Sequence, residues 1–477
     1  MELPSRLAPD QLRGSPGDDG DGAAGPPPDR PGVSWPRPRL RAWPRLRARP
    51  GRRLGSQSRL RLPAGPVSRC AGKGSEPLDW LLWVLTRAVL VVIITWGVHP
   101  QDRARDDLAV YARWAAGALQ HDRLPTDDMW QYPPLAGPVL WLGAAMPGGR
   151  VGFELLFLLV DAVVMAMVCG HARRTVLGTG RRLWALLPLL GGSLLLARFD
   201  VVPTAFAVAA LLLASRPVAS GALAAVGAWV KVWPVLVLAG LRRRDLPRGV
   251  LGALTAGTAL AVVIVGTLRD SMSFVGAQRG RGLQVESPAA WPFLLARQLG
   301  VSLRIRLQYG ADELVGPGVA PVARLLPLLT LGLLAVVAVQ RLRGRLEGFA
   351  PADVALAAVL FSIVSSRVFS PQYYVWVLGL AAVALGDPHT RMRRTIALVV
   401  GSSVVAQVVY PFLYAGLEGR SVPALVIHTV RLGLMLAATV TAARVLLRGA
   451  KAPVPLPSPV PATDDDGEGQ LSPAGSI

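Results

Sequence analysis

The sequence predicts an all-α fold, a polytopic helical membrane protein with about twelve crossings of the bilayer. Three observations carry this. Hydrophobic residues make up 52% of the 477 residues and charged residues only 17%, where soluble domains carry roughly 25% charged. Apolar runs recur from residue 79 to 448, each ended by Arg, Gly or Pro clusters, and a helix needs about 20 apolar residues to cross hydrocarbon. Strand-like alternation is absent, so helices rather than a barrel are expected to satisfy the backbone in lipid.

Residues 1–77 are rich in Gly, Pro and Arg, with eleven arginines and no acid between Arg30 and Arg61. Such a segment cannot bury a core and is expected to be a disordered tail. It is either attracted to anionic headgroups or simply tolerated. It is too long for a cleavable signal, and arginine before the first helix predicts a cytoplasmic N-terminus. The membrane domain is expected over 78–448, with a first span at 79–98. A polar loop at 99–131 follows, holding Asp102, Asp106, Asp107, Asp122, Asp127 and Asp128. Further spans are expected at 134–147, 152–170, 183–197, 201–215, 219–241, 248–267, 320–339, 353–366, 372–386, 395–414 and 424–446. A second long polar segment covers 268–319, and the proline-rich, then acidic, tail at 449–477 is expected to be disordered.

Arginine clusters sort the sides. "LRRRDLPR" (241–248), "RLRGR" (341–345), "TRMRR" (390–394) and "LRGAK" (447–451) are expected in the cytoplasm, which places 268–319 and the turn at 365–372 outside. Of the 51 basic residues 48 are arginine, so Lys231 within "GALAAVGAWVKVWPVLVLAGL" (221–241) is not there through general lysine usage. A lysine at the bilayer centre costs roughly 2.5–3.5 kcal/mol. "ASRP" (214–217) marks the same side as "LRRRDLPR", so 219–241 should leave and return, broken at Lys231–Pro234. Lys231 would then face an external cavity. One of the spans 134–147 and 152–170 is expected to be partial, because otherwise "HARR" (171–174) falls outside. Cys70 and Cys169 lie in unlike surroundings and are read as unpaired thiols, and the five scattered histidines argue against a histidine-built metal site. No cofactor, no metal and no nucleic-acid partner is expected.

Five polar segments gather on the outer side: the acidic loop 99–131, "ARFD" (197–200), Lys231, "AQRGRGLQVESPAAW" (277–291) and "SRVFSPQYY" (366–374). Charges at or inside the membrane mark functional sites by default; the plainer reading is a set of interfacial loops. "DLAVYARWAAGAL" (107–119) followed by "WQYPPLAGPVLWL" (130–142) resembles the first outer loop of glycosyltransferase family 87. "RFD", "AAVGAWVKVWP", "RGLQVES" and "FSPQYYVWVLGL" resemble blocks of that family in the same order, over roughly 79–446. One departure is that "QHDRLPTDD" stands where the family often has a Gly-x-Pro-Tyr turn. The resemblance implies a GT-C-like fold and transfer of a sugar, most often mannose, from a polyprenyl phosphate to a lipid-linked glycan. It also implies a site on the outer face of the plasma membrane.

The resemblance places the catalytic aspartate in the first loop, and Asp107 heads the matching block. Transfer to a hydroxyl needs a carboxylate to take the acceptor proton. Asp106 is adjacent and is the alternative base, and a helix N-cap is the alternative role for Asp107. Arg198, Lys231, Arg279, Arg281 and Arg367 are candidate ligands for the donor phosphate, since arginine binds phosphate bidentately and lysine brings a compact charge. Arg198 and Asp200 are alternatively a pair. Glu286 either orients an arginine or binds sugar hydroxyls. Gln372 and Tyr373 suit sugar hydroxyls, Tyr373 equally an interfacial belt. Tyr132, ahead of Pro133 and Pro134, shapes the site and offers a ring for stacking. Asp161 is expected to bond between helices, and His428 and Arg431 to pair within the bundle. Two other classes compete. A transporter or flippase would show matched repeats, which the sequence lacks, and a scaffold working through the arginine-rich tail leaves the five blocks unexplained.

Overall fold

The structure is a computed structural model and describes residues 76–96, 102–175 and 177–449. The tails expected over 1–77 and 449–477 fall almost wholly outside these residues, as does Cys70. In chain order the helices are α1 (Glu76–Trp96), α2 (Asp102–His121), α3 (Ala136–Ala145), α4 (Arg150–Thr175), α5 (Thr179–Ala185), α6 (Leu187–Gly191), α7 (Leu194–Ala197), α8 (Val201–Leu212) and α9 (Pro217–Val230). A 3-10 helix, Trp233–Gly240, follows, then α10 (Leu246–Thr267), α11 (Ser273–Gly280), β1 (Leu283–Gln284), α12 (Trp291–Gln298), β2 (Arg304–Gln308) and β3 (Ala311–Val315). The chain continues with α13 (Val319–Leu342), α14 (Pro351–Val364), α15 (Tyr373–Leu385), α16 (Arg393–Gln407), α17 (Tyr414–Glu418) and α18 (Val422–Leu447).

Six helices among the described residues are long and apolar enough to cross a membrane: α1, α4, α10, α13, the run Arg393–Glu418 and α18. Five more apolar helices have 10 to 17 residues. The expected dozen crossings are therefore not made by a dozen full-length helices. α14 and α15 are buried on nearly every side, as helices that are apolar all round must be. α10 and α13 instead expose Leu254, Val262, Leu328 and Leu331, a surface suited to lipid tails. The long polar segment expected at 268–319 holds a small antiparallel sheet, ordered β1-β3-β2. Its outer strand, "RIRLQ", is exposed at most positions and so lacks the one-sided apolar alternation that signals a strand.

The breaks have identifiable causes. The span expected at 183–197 is split into α5, α6 and α7, with Pro188 in the first turn of α6. Arg87 of α1 bonds Asp161 at 2.8 Å and donates to the carbonyls of Trp184 and Ala185 at 3.0 and 2.5 Å. Asp161 is thus the interhelical group expected, and Arg87 caps carbonyls that lipid would leave unsatisfied. α9 ends at Lys231, whose backbone is extended (φ −157°, ψ 129°). The chain then returns: Gly249 of α10 packs against Leu241 at the end of the return and lies close to the carbonyl of Pro217 at its start. The expected out-and-back path of 219–241 is found. α3 has 10 residues, about 15 Å of helix against a core of roughly 30 Å, so it is the partial element. α4 then brings Arg173 to 3.5 Å from Glu76, at the start of α1.

One end of the bundle collects the arginine clusters. Arg341 donates to the carbonyls of Ala239 and Leu346, the amide of Arg243 bonds Glu347, and the amide of Arg391 bonds Asp353. Arg181 and Arg182 both bind Asp79 there. At the other end the first loop is tied to the 268–319 segment, with Leu124 N–H donating to Arg269 and Arg269 N–H to Asp122, at 3.0 and 2.9 Å.

Candidate active site

At that second end lies a cavity of about 750 Å³. It is walled by α2, the segment 129–133, Arg198, the α9 break, the sheet and the turn before α15. α2 is amphipathic and lies outside the spanning helices. Asp107 and Tyr111, one turn apart on it, both line the cavity. α2 begins at Asp102, so Asp107 sits inside the helix and the N-cap role does not apply. The Asp107 carboxylate meets Arg198 Nη2 at 2.5 Å, each side chain being about one-fifth exposed. Burial pushes the Asp107 carboxyl above its ordinary range, Arg198 pulls it back, and the negative charges of Asp106 and Asp200 push it up again. Asp106 is exposed and absent from the cavity wall.

Arg198 and Asp200 do not pair with each other. Asp200, 1% exposed, accepts from Lys231 Nζ at 2.7 Å and from Trp376 Nε1 at 2.6 Å. Lys231 is therefore a paired lysine, and its ammonium lies 5.2–5.9 Å from the ring centres of Tyr132, Phe199, Tyr373 and Trp376. Such a box stabilises a desolvated cation. Tyr373 stacks on Trp376 at 3.8 Å, so it packs the site as well as lining it.

The sheet supplies the opposite wall. Arg281 donates to Gln131 and lies 3.4 Å from Glu313. Gln131 in turn donates to the carbonyl of Tyr309 at 2.7 Å, which ties the hairpin between β2 and β3 to the first loop. Glu286 lines the cavity, and Arg431 Nη1 holds it at 2.5 Å. His428 is not the partner of Arg431; neither of its ring nitrogens has a hydrogen-bond partner. Arg367 donates to the carbonyls of Arg281 and Gln278 at 2.7 and 2.9 Å. It is the cavity cation without a carboxylate within ion-pair distance among the described residues. Gln372 lines the wall. Arg279 is exposed on α11 and does not line the cavity, which corrects its place among the phosphate ligands.

The cavity residues not singled out from the sequence include Tyr111, Trp233, Asp312 and Tyr414. Tyr111 had a signal, its spacing of four from Asp107, which puts both on one helical face. Asp312 had none, being one acid among many in a polar segment. Among the described residues no group of three His, Cys, Asp or Glu is arranged to hold a metal. The cavity thus offers a carboxylate of raised basicity, four cations, aromatic faces and hydroxyl-binding amides. α13 contributes Pro327, Leu331 and Leu334 to the lining, with Thr330 as its one polar side chain there.

The model of glycosyltransferase family 87 matches residues 130–371, just over half of the chain. The match covers Tyr132, Arg198, Asp200, Lys231, Arg281, Glu286 and Arg367, and begins after Asp107. No curated protein and no solved structure matches the chain.

Proposed function

The chain belongs to glycosyltransferase family 87 and is a membrane glycosyltransferase. From that premise we propose that it moves a mannosyl group from a polyprenyl phosphate to a hydroxyl of a lipid-linked glycan, at the extracytoplasmic face of the plasma membrane. The observation that carries this is one cavity lined both by Asp107, Arg198 and Arg367 and by Pro327, Leu331 and Leu334 of α13. A donor with a phosphate head and an isoprenoid tail matches both surfaces. Leu331 on that helix is 63% exposed, as a residue turned toward lipid would be.

In this reading the acceptor O–H attacks the anomeric carbon, and Asp107 takes the proton as the new C–O bond forms. The bond from that carbon to the phosphate oxygen breaks, and its electron pair leaves with the polyprenyl phosphate. Arg198 engages Asp107 Oδ2 and fixes the carboxylate, leaving Oδ1 to accept the proton. Arg367, with no carboxylate within ion-pair distance among the described residues, stabilises the charge that develops on the phosphate. Lys231, already matched by Asp200, holds the aromatic wall and adds a more distant positive field. Glu286 and Gln372 bind sugar hydroxyls. Mannose as the sugar rests on the family resemblance.

The test supplies purified protein with radiolabelled polyprenyl-phosphate mannose and lipid acceptors. Label moving to the lipid acceptor is the expected result. No transfer from any polyprenyl-phosphate sugar would overturn the donor assignment.

A further inference from the structure

The Asp107–Arg198 corner holds two buried donors that the fold leaves without partners. Tyr111 is 2% exposed and lines the cavity, yet its hydroxyl has no hydrogen-bond partner. Arg198 spends Nη2 on Asp107, while its Nε is likewise buried and unpartnered. Buried polar groups are almost always satisfied, so each exception needs an explanation. Packing does not supply one for the hydroxyl. The Tyr111 ring is already engaged by Phe199, Trp114 and Phe153, with centroids 5.6, 5.9 and 6.3 Å away. A phenylalanine would make those contacts equally well.

Burial drives the Tyr111 phenol well above its usual range, so it remains a donor. Arg198 Nε can only donate and the protonated Tyr111 hydroxyl can donate too, and the two residues, on separate elements, line the same cavity as Asp107. One acceptor would satisfy both, and beside a guanidinium a charged one is favoured over a neutral one.

Building on the transfer reading above, we propose that Tyr111 is a substrate-binding residue whose hydroxyl, together with Arg198 Nε, donates to a phosphate oxygen of the lipid-linked donor. Tyr111 and Asp107 are one turn apart on α2, so one rigid helix would set the distance from base to leaving group.

The experiment compares full-length wild type and Tyr111→Phe. Three readouts are taken: transfer from polyprenyl-phosphate mannose, inhibition by polyprenyl monophosphate lacking the sugar, and Tm. A hydrogen bond to a charged group corresponds to about a ten- to hundredfold change. The proposal expects the donor KM to rise, and inhibition by the bare phosphate to weaken, by that factor. It expects the Tm to hold or increase, because removing an unsatisfied hydroxyl leaves no partner stranded. Normal inhibition by the bare phosphate with a raised donor KM would assign the hydroxyl to the sugar and overturn the proposal. A lowered Tm with unchanged kinetics would make the hydroxyl structural. Wild-type kinetics throughout would refute this inference alone. A wild-type protein that neither transfers from nor binds polyprenyl phosphate would bring down the donor assignment and the inference with it.

Discussion

At the residue scale, charge pairing decides what each substitution should do. Lys231 and Asp200 form a pair whose side chains are 13% and 1% exposed. Lys231→Met leaves the Asp200 carboxylate buried with Trp376 as its remaining donor. Removing one partner of a buried pair costs about 3–5 kcal/mol, so the variant should lose thermal stability in detergent. Lys231→Met combined with Asp200→Asn should recover part of that loss. Asp107→Asn removes the proton acceptor and should lower kcat by about 10²–10⁴-fold while the protein still folds. The pH profile carries the sign. Transfer needs the ionised carboxylate, and burial raises its pKa. The acid limb of kcat/KM should therefore lie above the ordinary Asp value of roughly 3.9, with activity falling as pH drops through it. Arg198 pulls that pKa down, so Arg198→Gln should move the limb to higher pH. An unmoved limb would assign it to another group. The residue types of this site were legible in the sequence, but their pairing was not. Asp107 meets Arg198 and Glu286 meets Arg431 across long stretches of chain, and nothing local in "RFD" says which neighbour each charge will choose.

At the element scale, full helices announced themselves by length and apolar content, while the shorter pieces were set by contacts. α1, α4, α10, α13 and α18 appear close to where composition places them. The split of α5–α7 depends on Arg87 reaching carbonyls from a different helix, which no local pattern encodes. The return after Lys231 was readable because proline and flanking arginines agreed on it. Its packing rests on glycines. A Cβ on Gly221 would overlap the Gly249 carbonyl, and one on Gly252 the Val218 carbonyl. α9 and α10 thus approach backbone to backbone, as small residues allow in membranes. Gly221→Ala should force them apart and cost about 1–3 kcal/mol, read as a lower Tm with reduced transfer. Gly266, on the same helix as Gly249, has no neighbouring atom within 4 Å of such a Cβ. Gly266→Ala should be neutral or stabilising by up to about 1 kcal/mol. Equal effects of the two would remove the close-packing account.

At the scale of the whole molecule, the arginine clusters of the short loops gather at one end of the bundle. Arg181, Arg243, Arg341 and Arg391 are held at one end by contacts to Asp79, Glu347 and Asp353. Asp106, Asp107 and the aspartates at 122, 127 and 128 lie at the other end, with the cavity. Insertion keeps Lys and Arg of short loops on the cytoplasmic side, so the cavity should open outside. That orientation is a condition of the proposed chemistry. A lipid-linked acceptor displayed on the outer leaflet cannot reach a base on the inner one. Two positions separate the alternatives: Leu299 on the cavity side, 80% exposed, and Arg345 in the arginine-rich turn after α13. Leu299→Cys and Arg345→Cys would be placed singly in a chain carrying Cys70→Ser and Cys169→Ala. The second replacement is a small one at a site 1% exposed. An impermeant maleimide should label the Leu299→Cys protein in intact cells and the Arg345→Cys protein only after lysis. The reverse pattern would put Asp107 in the cytoplasm. The bundle and its cavity would stand unchanged, but the acceptor would have to be a glycan still facing inward.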